Sequence, residues 1–252
     1  SIQDRKDKIN FFAHKGGKMR KLASKLRDQV EEAEEEMVDE RQEDKTINEF
    51  NIPSQTDIVG PIVEINSVGV MVDHEPVRKN LLSPISLRKK QKLLIKGPNG
   101  IGKSTLLEAL ATGNEDGASI TKNVKIGYYR QDFSGLDFEK TGYEALDEMM
   151  EDPWNQEIYA TAAQFLLSSE ILKNKIGSYS EGQKGLLCYA RFVLQKPGLL
   201  IMDEPTNHIN FRHLPIIAKA LDEFEGAVIL VSHAYEFVDQ IKIDQTLDLG
   251  AL

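Results

Sequence analysis

Two hydrophobic periodicities divide the chain. Over residues 1–50, apolar or small residues recur at Ile9, Gly16, Ala23, Val30 and Met37, and again at Phe12, Met19, Leu26 and Ala33. This is the a and d spacing of a heptad over about four repeats, and it predicts a long helix with one apolar stripe. Such a stripe needs a second helix to cover it. Residues Asn51, Ile52, Pro53, Ser54 and Gln55 break the pattern, and shorter apolar segments follow from about Ile58. Lys92–Lys96 and Leu199–Met202 read as buried strands, Thr105–Leu110 as the opening of a helix, and Glu144–Met150 and Ile158–Leu167 have helical apolar spacing. The expectation is a helical arm over 1–50, half of a coiled-coil hairpin, followed by an α/β domain over 58–252. The covering helix is expected to precede Ser1. The absence of an initiating methionine points the same way, toward a piece cut from a longer protein.

Charge sharpens the picture of the arm. The formal net charge is −9, which spread evenly would argue against binding nucleic acid. It is not spread evenly. Arg5, Lys6, Lys8, Lys15, Lys18, Arg20, Lys21, Lys25 and Arg27 load the first half, and Glu31, Glu32, Glu34, Glu35, Glu36, Asp39, Glu40 and Glu43 the second. The basic end can track phosphates locally, or it can be a solvated helical face with no ligand. Around His14-Lys15-Gly16-Gly17-Lys18 the two glycines fit either a hairpin tip or a weakened helix interior. No apolar run approaches the ~20 residues of a membrane span. The single cysteine, Cys188, rules out an internal disulfide framework and suits a reducing, cytoplasmic compartment. Its apolar neighbours mark it as core filler rather than nucleophile.

The chemistry lies in three segments. Gly97, Pro98, Asn99, Gly100, Ile101, Gly102, Lys103, Ser104 and Thr105 fit the phosphate-loop pattern, placed between a strand and a helix as that pattern requires. Backbone N–H groups freed by the glycines wrap a β-phosphate, Lys103 neutralises the β and γ oxygens, and the Ser104 hydroxyl ligates Mg2+. A bare glycine turn between strand and helix is the plain alternative. Leu199–Met202 ends in Asp203 and Glu204, one carboxylate for Mg2+ and one to take a proton from attacking water, unless the pair merely solvates a strand terminus. Ser232-His233 follows a third apolar run.

Together with these segments, Ser178-Tyr179-Ser180-Glu181-Gly182-Gln183-Lys184 resembles the LSGGQ signature of ATP-binding cassette (ABC) proteins. Gln131 resembles their Q-loop and His233 their switch histidine. The run Glu204-Pro205-Thr206-Asn207-His208-Ile209-Asn210 resembles the form typical of the ABC-F branch. The resemblance covers about residues 58–252. It implies a P-loop NTPase of the ABC ATPase type, with a helical subdomain and an antiparallel β subdomain, preceded by the long charged arm. ABC-F proteins carry two cassettes joined by a helical hairpin whose basic tip reaches tRNA on the ribosome. By that layout residues 1–50 are the returning helix and 58–252 the second cassette.

The mechanism implied by the resemblance pairs two cassettes head to tail. ATP and Mg2+ would be held by the phosphate loop with Ser104, Gln131 and Asp203, and completed in trans by Ser180, Glu181, Gly182 and Gln183 of the opposite cassette. Glu204 would be the general base, with His233 and Gln131 assisting. Ribosome and tRNA are the implied partners, no membrane is, and Lys15, Lys18, Arg20, Lys21 and Lys25 are the candidate RNA contacts. An ABC transporter ATPase subunit shares the nucleotide motifs but would not carry a charged heptad arm. A DNA-repair ATPase of this type normally inserts its coil within the cassette. An ATP-gated clamp whose hydrolysis hardly matters is a third class.

The chain departs from the family pattern at four places. Glu181 stands at the first glycine of the signature, where its charge would oppose closure unless it turns outward. Asn210 replaces a usual aspartate, Ala234 and Tyr235 follow His233 where Asp and Arg are common, and no aromatic lies near Val72, with His74 a weak substitute for stacking a base. Hydrolysis is therefore expected to be slow, most of all in an isolated cassette. Asn207 and His208 read as loop-fixing hydrogen-bonders, and Trp154 as packing within the helical subdomain.

Overall fold

A computed structural model describes residues 45–252. The predicted arm falls almost wholly on residues 1–44 and lies outside the described residues. Residues 45–51 are not helical, and the compact unit opens at Ile47 rather than near Ile58. The reason is burial. Ile47, Phe50 and Ile52 alternate with Asn48, Glu49 and Asn51, and the three apolar side chains are sunk into the core while the polar ones face out. Phe50 meets the ring of Phe165 edge-on at 4.7 Å, and the Ile47 N–H donates to Nδ1 of the buried His213 at 3.3 Å.

The first layer is a three-stranded antiparallel sheet ordered β2-β1-β4, with β1 at Val63–Val72, β2 at Glu75–Leu87 and β4 at Ala118–Ile120. Asp73 and His74 connect β1 to β2, both at positive φ, as a two-residue hairpin turn between right-twisting strands requires. The second sheet has five strands ordered β5-β6-β7-β3-β8, all parallel: β3 Lys92–Lys96, β5 Ile126–Tyr129, β6 Leu199–Asp203, β7 Ala227–Val231 and β8 Gln245–Asp248. Helices cover both faces, so its strands are continuous apolar runs rather than alternating ones.

Alternate residues of those runs feed two separate cores. Leu94, Leu200, Met202, Val228 and Leu230 point to one side, against α5 (Glu181–Gln195) and α6 (Leu214–Glu223). Leu93, Ile95, Leu199, Ile201, Ile229 and Val231 point to the other, against α1 (Lys103–Thr112) and the three-stranded sheet. Each fully buried aliphatic side chain contributes about 1.5–3 kcal/mol, which makes this sheet the rigid frame of the molecule. Three short helices, α2 (Gly142–Asp147), α3 (Asn155–Gln164) and α4 (Ser169–Lys173), form the helical subdomain between β5 and α5, and α7 (Tyr235–Val238) follows β7. This is the α/β P-loop fold of ABC ATPases.

Candidate functional site

Strand register brings the chemical segments together. Ile95 of β3 is level with Val231 of β7, Val231 with Asp203 of β6, and Met202 with Tyr129 of β5. The phosphate loop after β3, Ser232-His233 after β7, Asp203-Glu204 ending β6 and Gln131 after β5 therefore emerge side by side. All leave the carboxyl ends of parallel strands, where open α/β sheets bind ligands.

The phosphate loop is wound by its glycines. Gly97 has φ 148°, and a Cβ there would come within 3.0 Å of Ile101 Cγ2 and 3.3 Å of Leu249 Cβ. Gly102 caps α1 from the left-handed region at φ 102°. No side chain caps this helix, so the N–H groups of its first turn stay available for an anion. Lys103 is buried, and its Nζ donates to the carbonyls of Gly97 (2.8 Å) and Pro98 (3.0 Å) across the loop. Pro98, Asn99, Gly100, Ser104 and Thr105 are exposed along the loop's outer side, and the Met71 N–H of β1 holds the Ile101 carbonyl at 2.9 Å.

Two carboxylates face this loop. Asp203 is buried, and its Oδ1 has no hydrogen-bond partner. Burial raises its carboxyl above the ordinary aspartate value, against the opposing pull of the Ser104 hydroxyl and the Lys103 ammonium. Glu204 sits at φ 50°, a strained setting for a residue with a side chain, where its N–H is tied to the Val231 carbonyl at 2.8 Å. Its Oε2 accepts the His233 N–H at 3.1 Å, and His233 Nε2 lies 3.4 Å from Oε1. Burial raises this carboxyl too, ahead of the lowering effect of His233.

An orphaned buried carboxylate oxygen beside a serine hydroxyl and an anion-ready helix end suits a hard divalent cation shared with a phosphate. Among the described residues no group of three or more His, Cys, Asp or Glu side chains has the arrangement of a metal cage. Gln131 is exposed in the turn after β5, beside Arg130.

A cleft of about 500 Å3 opens at this edge, lined by Gly97, Pro98, Lys103, Ser232, His233 and Tyr235 among others. Ser104, Gln131, Asp203 and Glu204 do not line it, and neither do Ser180, Glu181, Gly182 and Gln183. The last four start α5 instead. The Ser180 hydroxyl accepts the Gln183 N–H, and the Gln183 side chain accepts the Ser180 N–H, a capping box that fixes the turn before any ligand arrives. Glu181 does turn aside: its Oε1 is held at 2.7 Å by Nζ of the buried Lys184, which also lies 4.7 Å from the Phe138 ring centre. The charge feared to oppose closure is thus matched within its own helix. Asn210 accepts the Arg212 N–H at the start of a short 3-10 turn, a capping role asparagine fills as well as aspartate.

Sequence reasoning missed one fastening. Arg130 makes a bidentate pair with Glu108 of α1, at 3.0 Å from both Nε and Nη2, and its guanidinium lies 4.1 Å over the Tyr128 ring. It ties the segment carrying Gln131 to the helix carrying the phosphate loop. Nothing in the spacing of residues 108 and 130 signals this. Cys188 is buried with its thiol pushed up to about 12 by desolvation, as inert core filler should be. The candidate RNA contacts Lys15, Lys18, Arg20, Lys21 and Lys25 lie outside the described residues. Among the described residues, no helix is long and apolar enough to cross a membrane.

Known proteins match this arrangement. Residues 83–207 match the family model described as ABC transporter. The mouse ATP-binding cassette sub-family F member 2 is 31% identical over 256 residues, covering 95% of this chain and 39% of that protein. ABC transporter F family member 5 of Arabidopsis thaliana is 35% identical over 163 residues, covering 62% of this chain and 23% of that one. The chain thus spans well under half the length of these relatives. In fold it is similar to a dimeric ATP-binding cassette in a post-hydrolysis state bound to ADP and Pi, with TM-score 0.60, 18% identity, and 75% of this chain and 95% of that one covered. It is also similar to a chain of ribosome-bound archaeal Pelota and ABCE1, with TM-score 0.55, 19% identity, and 78% of this chain and 34% of that one covered. Carrying these motifs in this order on this fold, the chain belongs to the F branch of the ATP-binding cassette family.

Proposed function

We propose that this chain is one cassette, preceded by a linker arm that ends before Ile47, of a protein that binds and hydrolyses ATP and uses ATP-driven closure on a second cassette to gate its association with ribosome and tRNA. The observation that carries the catalytic part is the pairing at the end of β6: a buried Asp203 with an unsatisfied oxygen beside a Glu204 held by His233, both facing Lys103 and the open end of α1. Bound Mg2+ would supply charge neutralisation between the phosphates, held by Asp203 and Ser104 with Gln131 completing the site. The loop N–H groups and Lys103 bind the phosphates and stabilise the charge that develops on them. Water attacks the γ-phosphorus and gives its proton to Glu204. The bond to the bridging oxygen breaks, leaving ADP and phosphate. His233, within reach of Glu204, orients that carboxylate.

The capped turn at Ser180–Gln183 makes no hydrogen bond or ion pair with the chain's own phosphate loop. This favours its use in trans, on nucleotide held by a second cassette. The ribosomal part rests on the F-branch relatives, on the ribosome-bound structural neighbour and on the basic half of residues 1–50. A cytoplasmic location goes with it. The test is co-sedimentation of the full-length protein with ribosomes, carrying Glu204→Gln and its counterpart in the other cassette, with and without ATP. Pelleting that depends on ATP supports the reading. A supernatant location in both conditions, with ATP still bound, sinks the ribosomal part and leaves the ATPase part standing.

A further inference from the structure

The helical subdomain carries an aromatic surface that the nucleotide chemistry does not use. Trp154, expected to pack internally, is 59% exposed, and Tyr159 is 40% exposed. The backbone explains why. Trp154 is the N-cap of α3, with φ −121° and ψ 111°, so the helical phase that would stack it over buried Ile158 does not yet apply. Tyr143 of α2 lies with its ring 5.7 Å from Tyr159, and its hydroxyl is bonded to Asn155, the residue after Trp154. Tyr143 and Tyr159 therefore share one side of the α2–α3 junction, and Trp154 is exposed at the start of α3, one residue before Asn155. A side chain the size of tryptophan left open to water forgoes a large burial gain.

Charge says what fits there. Between Asp137 and Lys175 the chain has nine acidic residues and three lysines, and two of those lysines are already paired, Lys140 with Glu148 and Lys175 with Glu139. Asp147, beside the Tyr143 hydroxyl, and Asp152 and Glu157, flanking Trp154, have no ion-pair partner among the described residues. Exposed rings amid positive charge would suit stacked bases, but here phosphate would be repelled. Rings amid carboxylates suit a cation, which gains from the ring face and from the carboxylate together. The chain uses the same chemistry internally, with Arg130 over Tyr128 and Lys184 over Phe138.

We propose that Tyr143, Trp154 and Tyr159, with Asp147, Asp152 and Glu157, form a docking surface for an arginine- and lysine-rich segment of a partner protein. The surface works independently of nucleotide. Its partner inserts a guanidinium or ammonium over the exposed rings and sets neighbouring charges against the carboxylates.

Trp154 is the chain's sole tryptophan, so its emission reports this surface alone. The intact chain is titrated with a short synthetic peptide alternating arginine and glycine, with its glutamate counterpart, and with oligouridine. The arginine peptide is expected to change Trp154 emission saturably, and the other two are not. Binding should weaken by roughly tenfold in the Asp147→Asn, Asp152→Asn, Glu157→Gln variant and on raising salt. Tyr159→Ala should weaken it as well. These are surface changes, and unaltered far-ultraviolet circular dichroism checks the fold. The proposal is overturned if the arginine peptide gives no saturable change, if the glutamate peptide or oligouridine binds as well, or if the charge-stripped variant binds undiminished.

Discussion

His233 holds Glu204 from two directions: its backbone N–H donates to Oε2 at 3.1 Å, while its ring Nε2 lies 3.4 Å from Oε1. The side chain is thereby fixed in place at the end of β6. Glu204→Gln keeps an acceptor for the His233 N–H and removes the base. ATP binding should persist while steady-state turnover falls by about 10²- to 10⁴-fold, read by phosphate release and by nucleotide retention.

The pH profile follows from the burial of the same carboxyl. Its pKa is raised, and the working base is the deprotonated form. Turnover should therefore decline with acidification at a pH above that at which an ordinary glutamate titrates. A profile that stays flat down to the ordinary carboxylate range would show that Glu204 is not the base.

Asp203 makes an opposite demand on stability and on ligand binding. With its carboxyl pKa raised above the unfolded value, the folded chain without ligand binds the proton more tightly than the unfolded chain. Its contribution to stability is fully present below the unfolded pKa and is lost as pH rises through the folded pKa. At neutral pH the buried charge is thus a cost. Asp203→Asn should raise the melting temperature of the nucleotide-free chain by a few degrees, corresponding to about 1 kcal/mol. It should also abolish the further stabilisation that Mg·ATP gives the parent. An equal gain from Mg·ATP in both would refute the metal role.

Two glycines of α5, nearly one turn apart, separate folding from function. A Cβ on Gly185 would come within 2.5 Å of Ile209 Cδ1 and 2.9 Å of the Tyr129 hydroxyl, both buried. Overpacking should outweigh the gain in helix propensity, and Gly185→Ala should destabilise by about 1 kcal/mol in thermal melts. A Cβ on Gly182 meets nothing nearer than the His208 carbonyl at 3.4 Å. Gly182→Ala should leave the melting temperature within a degree or two of the parent. A loss of ATP turnover in that variant would then report contact with nucleotide on the opposite cassette.

Phe50 carries the segment at the start of the compact unit. It is buried against Phe165 and Tyr189 at ring distances of 4.7 and 6.2 Å. Phe50→Ala should cost about 3–5 kcal/mol, measured by denaturant unfolding. A cost below 1 kcal/mol would mean that residues 47–52 are a removable leader rather than part of the core.

Much of the site was legible because its chemistry is local. The phosphate loop needs its glycines, lysine and serine at set spacing, and the strand before it and helix after it show in the pattern of Lys92–Lys96 and Thr105–Leu110. Parallel strands buried on both faces write themselves as unbroken apolar runs, as at Leu199–Asp203 and Ala227–Val231. The capping box at Ser180–Gln183 is likewise a matter of residues three apart.

What lay outside the sequence is long-range pairing and the direction of single side chains. Glu181 alone reads as an obstacle to phosphate, and only the fold shows Lys184 buried beneath it. Arg130 and Glu108 meet only once the fold brings the turn after β5 beside α1. Ile47 binds His213 across 166 residues, so a segment that reads as the tail of a heptad helix belongs to the cassette core. Trp154 reads as core and stands in water because its backbone has not yet entered the helix. The sequence by itself determined which residue types stand in the phosphate-loop pattern and in what order the motifs run, since such patterns depend on residue type and local spacing. The tertiary structure decided which charges are neutralised, which carboxylate is left unpartnered and which rings are exposed, since burial and cross-chain contact exist only once the sheet has assembled.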